Sequence, residues 1–279
     1  MRRWSSEDIR TMAKRYDELL RLATYPVAVK LFGELKELEE VKDEKGRPVR
    51  FIEAGKRLTV CQFLSQARYL GRVFAGTKES LSMCMPGASA MGFMELAEEY
   101  AHGYVRAYFT EEEIARKTVA SVPHFEVGTH VAMLASPFER MPVDPDVVIF
   151  FGNTAQVMKC FYGYNYNKGG RLEFSTCGMT GCADMVVPPM HTGKPNIIFG
   201  CNGFRILAWP SDNEAAFAIP AALLEDVLEG LEFNHRGMLR YPITWQHLDW
   251  EPPEGTVLRN LMDGKGFYPA ELRHPERKA

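Results

Sequence analysis

Between residues 6 and 22, Ile9, Met12, Ala13, Tyr16, Leu19 and Leu20 recur at helical spacing, which predicts an amphipathic helix packed on the outside of a core. Ser5 and Asp8 stand where they can cap its start. The pattern then changes period. Residues 26–32, Pro-Val-Ala-Val-Lys-Leu-Phe, read as a strand that stops at Gly33, and the charged run over 34–45 reads as a solvated helix and turn. A second helix is predicted over 61–73, where Phe63, Leu64, Ala67 and Leu70 are apolar, and a turn containing glycine and proline over 83–92 opens a third. Residues 111–120, with Thr110 as cap, predict a short amphipathic helix. Short apolar strands are predicted at 131–135 and 147–151. The second lacks alternation, as a strand covered on both faces should, and runs into a helix over 154–162. Residues 171–219 read as short strands and turns, with strands at 196–199 and 215–219, before Pro220 starts a helix over 221–231.

Together these elements predict an α/β or α+β fold: a single mixed-sheet domain over residues 1–250 with helices packed on it. The stretch 251–279, rich in proline, glycine and charge, is expected to be an extended C-terminal arm. A chain of 279 residues with 46% hydrophobic content can bury one large core. Its net charge of −3, from 33 basic and 36 acidic residues, offers no positive footprint for nucleic acid. No run of about 18 apolar residues predicts a membrane span, and Arg2-Arg3 lead into polar and acidic residues rather than the apolar core of an export signal. The expected compartment is the cytoplasm. Thiols are kept reduced there, so the six cysteines are expected to be free thiols or metal ligands rather than a disulfide framework.

Those cysteines carry the chemistry. Cys84 precedes Met85-Pro86-Gly87, Cys177 precedes Gly178, Cys182 follows Gly181, and Cys201 lies within Gly200-Cys201-Asn202-Gly203. Glycine turns expose backbone N–H groups that can donate to a metal-bound or cluster-bound sulfur, and they let the main chain approach closely. Cys61 and Cys160 fall in predicted helices, and Cys160, mid-helix, reads as a small apolar core residue. The short pairs of structural zinc sites and the compact runs of ferredoxins are both absent, so any shared centre needs cysteines gathered by the fold. None of the histidines forms a paired metal motif, and no phosphate-binding glycine loop or serine-hydrolase elbow occurs. The aromatic run over 161–167 reads as a helix end on the core or as a pocket wall.

A series of short motifs in order resembles the family known as domain of unknown function 169. In the first half these are Pro26-Val-Ala-Val-Lys30, Val60-Cys61-Gln62, Ala67-Arg68, Gly71, Cys84, Gly87-Ala88 and Met91-Gly92. The second half adds Pro145-Asp146-Val-Val-Ile149, Ala155-Gln156, Gly181-Cys182-Ala183-Asp184, Gly193-Lys194-Pro195-Asn196, Gly200-Cys201-Asn202-Gly203-Phe204-Arg205 and Ile219-Pro220. The resemblance spans residues of about 25 to 235. It implies no activity, but it singles out Cys61, Cys84, Cys182 and Cys201 and leaves Cys160 and Cys177 as particular to this chain.

Four thiolates are what a [4Fe–4S] cluster requires. The expectation is therefore an iron–sulfur protein with a redox or electron-transfer role, an oxidoreductase or its accessory, serving a redox partner protein or a small-molecule substrate. Arg68 and Arg205, each a few residues from one of these cysteines, are expected to offset the negative charge or to bind an anionic substrate, the alternative for each being a salt bridge. Two other functions stay open: a cluster-free enzyme with Cys84 or Cys201 as nucleophile, and a small-molecule binding module. The sequence leaves the oligomeric state open.

Overall fold

The computed structural model describes residues 4–236 and 257–264. In chain order the elements run α1 (Ser6–Leu20), β1 (Val27–Phe32), α2 (Leu35–Glu39), β2 (Arg50–Phe51), α3 (Val60–Leu70), β3 (Phe74–Thr77), α4 (Met85–Ala90), α5 (Glu99–Tyr108) and α6 (Glu112–Ala120). They continue with β4 (Ala132–Pro137), β5 (Val147–Asn153), α7 (Thr154–Lys168), α8 (Gly181–Thr192), β6 (Asn196–Ile198), α9 (Asn202–Ala208), β7 (Glu214–Pro220), α10 (Leu224–Arg236) and α11 (Val257–Met262).

The strands form one sheet in the order β2-β3-β4-β1-β5-β7-β6. The β2–β3 pair is parallel and every other pair antiparallel, so the sheet is mixed and the domain α/β. Successive side chains of β1 enter opposite cores: Val27, Val29 and Leu31 join one, Ala28 and Phe32 the other. Strand β5 divides in the same way, with Val147, Ile149 and Phe151 on one side and Val148 and Phe150 on the other. Helical layers on both faces explain why β5 reads as a continuous apolar run although both its neighbours are antiparallel.

One layer contains α1, α2, α7 and α10, and the other contains α3, α4, α8 and α9. Helix α1 starts with the expected capping box, in which Ser5 accepts from the Asp8 amide and the Asp8 carboxylate accepts from the Ser5 amide. It ends earlier than predicted because Arg21 turns left-handed, with φ of 50°. Gly71, with φ of 61°, closes α3 at Leu70. Helix α7 runs on through the aromatic segment to Lys168, so those tyrosines are helical. Among the described residues, no helix is long and apolar enough to cross a membrane.

Segment 171–219 corrects the sequence reading, since it contains two helices, α8 and α9, as well as strands β6 and β7. Pro188 and Pro189 stand inside α8 and disguise it. Proline at 188 removes the bond that the Asp184 carbonyl would accept, and Asn196 Nδ2 supplies it instead at 2.9 Å. Asn196 also exchanges bonds with both backbone groups of Ser175, which ties the sheet edge to the loop ahead of α8. Of the expected C-terminal arm, residues 251–256 and 265–279 lie outside the described residues. Its described part forms α11 rather than extended chain.

Candidate functional site

Four helices of one layer each carry a cysteine at the N-cap or in the first turn. Thr59 caps α3, and Cys61 stands in its first turn. Cys84 is the N-cap residue of α4, Cys182 lies in the first turn of α8, and Cys201 is the N-cap residue of α9. Helix α3 packs against α4, α8 and α9, and α4 packs against α8, so the four starts are drawn together on one face of the sheet.

Glycines set how closely they meet. A Cβ placed on Gly87 would lie 3.0 Å from Cys182 Sγ, which puts the first turn of α4 directly on that sulfur. A Cβ on Gly181 would meet Gly200 Cα at 2.9 Å, so the backbone before Cys182 touches the backbone before Cys201. The other end of α9 is held by α3. Ser65 Oγ bridges the Cys61 and Ala208 carbonyls at 3.0 and 3.2 Å, and Tyr69 Oη donates to the Trp209 carbonyl at 2.7 Å. Sequence reasoning missed Ser65 and Tyr69. The available signal was their spacing from Cys61, four and eight residues along one helix face.

Cys61 and Cys182 are buried, whereas Cys84 and Cys201 are half-buried. Burial pushes the Cys61 thiol up to about 11, helped by the charges of Cys201 and Cys84 and opposed by the Thr59 hydroxyl, 3.0 Å from the sulfur. For Cys182, burial raises the pKa well above its ordinary value, and Cys61, Cys84 and Cys201 each raise it further. Burial raises the Cys84 thiol as well, and Cys201 raises it further. The Phe204 amide donates to Cys201 Sγ at 3.3 Å. The site thus combines sulfurs close enough to repel one another as thiolates with a backbone N–H directed at one of them, Cys201.

Cys160 lies across the sheet in α7, where burial lifts it to about 12. Cys177 stands ahead of α8 with its sulfur 3.8 Å from the Thr180 hydroxyl. Among the described residues, no three Cys, His, Asp or Glu side chains crowd closely enough to cage a single metal ion. A zinc bond of about 2.3 Å would require tetrahedral sulfurs only about 4 Å apart, whereas a multi-iron cluster spreads its thiolates over several irons.

The two arginines do not join the cysteines in the same way. Arg68 is fully buried about 10 Å along α3 from Cys61. Its Nη2 pairs with Glu214 at 2.6 Å, its Nε donates to Thr24, and its guanidinium lies over the Tyr69 and Phe151 rings. Its charge is therefore already compensated, as in the salt-bridge alternative. Arg205, one turn beyond Cys201, donates from Nη2 to the Phe199 carbonyl at 3.1 Å and faces Asp212 at 3.5 Å. It braces the loop that carries Cys201.

The pattern of the DUF169 family, described as uncharacterised ArCR, matches residues 16–230. The chain belongs to that family. No curated protein and no solved structure matches it. The matched span contains all four helix-start cysteines of this DUF169 protein, together with Arg68, Asn196 and Arg205.

Proposed function

We propose that this DUF169 protein binds an iron–sulfur cluster of the [4Fe–4S] type through Cys61, Cys84, Cys182 and Cys201, and that it serves in electron transfer. The observation that carries this reading is the gathering of four cysteine-bearing helix starts on one sheet face, with Gly87 packed on Cys182 and Gly181 packed on the Gly200-Cys201 backbone. The donor set suits the group: four soft thiols, two of them buried, with the Phe204 amide bonded to Cys201 sulfur.

A bound cluster would supply one-electron chemistry at a potential tuned by burial and by N–H bonds to sulfur. The chain's own task is to hold the thiolates, lower their charge with amides and limit water. Cys84 and Cys201 give the site its open side, from which a redox partner protein or a small-molecule substrate would reach it. The raised thiol at Cys84 argues against that residue as a cluster-free nucleophile, because an activated cysteine needs a lowered pKa.

The test is anaerobic purification and reconstitution of the full chain with iron and sulfide, followed by metal analysis and electron paramagnetic resonance of the reduced protein. About four irons and four sulfides per chain are expected. Cys→Ser changes at 61, 84, 182 or 201 should each lower iron content, and Cys160→Ser should leave it intact. A colourless protein after reconstitution, one with a single rapidly alkylated thiol, or equal iron losses at all five positions would overturn the reading.

A further inference from the structure

Away from the cysteines, a cleft of about 820 Å³ opens between the edge of the sheet and the C-terminal end of α3. Strand β2 is the outermost strand, and with the loop before it and Gly71–Phe74 it forms the walls. The volume falls within the range of about 300–1,000 Å³ usual for small-molecule sites.

Its charge is one-sided. Five cationic side chains line it, those of Arg47, Arg50, Lys56, Arg72 and Arg140, against two carboxylates, Asp43 and Glu53. Both carboxylates are taken: Asp43 by Arg47 at 2.7 Å and Glu53 by Lys56 at 2.5 Å. Arg140 donates to the Gly71 carbonyl at 2.6 Å and has Glu44 at 3.6 Å. Arg72 bonds only a neutral group, the Gln66 amide oxygen, at 2.7 Å. Among the described residues, Arg50 and Arg72 have no carboxylate partner. Two guanidinium groups on one cleft are thus left to meet an anion.

Apolar surface lies beside them. Arg50 stands opposite Phe74 in the parallel β2–β3 register, and Phe51, 36% exposed, is next along the edge strand. Both residues line the cleft, Phe74 on the face of the sheet that carries Arg50 and Phe51 on the other. A guanidinium presents paired N–H donors that match a phosphate, and an aromatic wall suits a flat or apolar body attached to it. We propose that this cleft binds a phosphate-bearing small molecule, its phosphate held by Arg50 and Arg72 and its body laid against Phe74. The dianionic charge of a phosphate monoester matches the two unpaired arginines better than a single carboxylate does. This site is separate from the cysteine site and does not depend on the cluster reading.

The test is calorimetric titration of the full chain at low ionic strength with adenosine monophosphate, glucose 6-phosphate and uncharged adenosine. At least one of the two esters should bind, and adenosine should bind at least ten-fold more weakly than the nucleotide. A preference for the nucleotide would identify the aromatic wall as part of the site, and a preference for the sugar phosphate would assign recognition to the arginines alone. The double variant Arg50→Ala/Arg72→Ala should weaken binding at least ten-fold without moving the thermal midpoint, since both side chains are exposed. Added salt should weaken binding as well. Binding of neither ester, or unchanged affinity in the double variant, would overturn the proposal.

Discussion

The two helical layers on this sheet hold their elements together in different ways. On the α1–α7–α10 side the helices interlock by shape. Gly163 and Gly230 let α7 and α10 approach until a Cβ on Gly230 would fall 2.2 Å from the Gly163 carbonyl oxygen. Polar groups there finish local tasks: Tyr16 donates to the Leu224 carbonyl, and Gln156 and Lys159 bond the last carbonyls of α1. On the other side, α3, α4, α8 and α9 include two short helices and keep thiols, the Arg68–Glu214 pair and Asp184 in the interior. Each such group loses hydration on burial and needs a partner inside. The opposite layer also buries Cys160, Lys159, Gln156 and the Tyr16 hydroxyl, so the difference lies in grouping: on the cysteine side the thiols and Asp184 gather at helix starts, and on the other side Gln156 and Lys159 close a helix end.

The contrast breaks most easily at Arg68. Replacing it with alanine removes the partner of Glu214, a carboxylate with only 12% of its side chain exposed, and empties the space between the Tyr69 and Phe151 rings. A loss of about 3–5 kcal/mol is expected in denaturant unfolding, because a buried charge is left uncompensated. The pair Arg68→Met with Glu214→Gln should recover part of that loss. If it recovers none, packing rather than charge holds this layer, and the difference between the faces disappears.

On the opposite face the corresponding change is Gly230→Ala. Alanine gains about 0.5–1 kcal/mol of helix propensity over glycine, but the new Cβ strikes backbone, which cannot swing aside as a side chain can. Overpacking of this kind costs about 1–3 kcal/mol, so the expected net effect is a loss of about 1–2 kcal/mol and a midpoint lower by several degrees. Iron content after reconstitution should be unchanged. A stabilised variant would mean that α7 and α10 can separate freely and do not interlock.

Much of this architecture was legible in the sequence where a single physical signal dominated. The stripe from Ile9 to Leu20, the Ser5–Asp8 cap and the unbroken apolar run of β5 all report burial directly. Helices α8 and α9 were hidden because their starts, Gly181-Cys182 and Cys201-Asn202-Gly203, look like turns, and because Pro188 and Pro189 argue against a helix. What permits α8 is a hydrogen bond from Asn196, and such a long-range compensation leaves no local trace. The site was half legible. Glycine beside cysteine pointed to sulfurs that need close backbone, but the identity of Arg68 could not show that Glu214, 146 residues away, neutralises it.

The smallest expected effect concerns pH. His130 has its Nδ1 3.2 Å from the Met91 carbonyl and its ring edge-on to Phe125, on the cysteine side of the sheet. Burial lowers its pKa below the ordinary histidine value, with Lys30 acting in the same sense and the Met91 carbonyl and Asp146 opposing. The folded state therefore favours the neutral ring, so its contribution is complete above about pH 6.5 and is lost as pH falls through that value. Tyr16, on the opposite face, behaves in reverse: burial raises its phenol well above 10, so its contribution holds through neutrality and is lost only in alkali. As pH falls from about 7.5 to 5.5, the thermal midpoint of His130→Gln should rise relative to that of the wild type by about a degree or two, buried Asp184, raised to about 6, acting in the opposite sense equally in both proteins. The Tyr16→Phe variant should follow the wild type over that window and depart from it only above about pH 10. Equal acid slopes in the wild type and His130→Gln would show that folding does not depress the His130 imidazole.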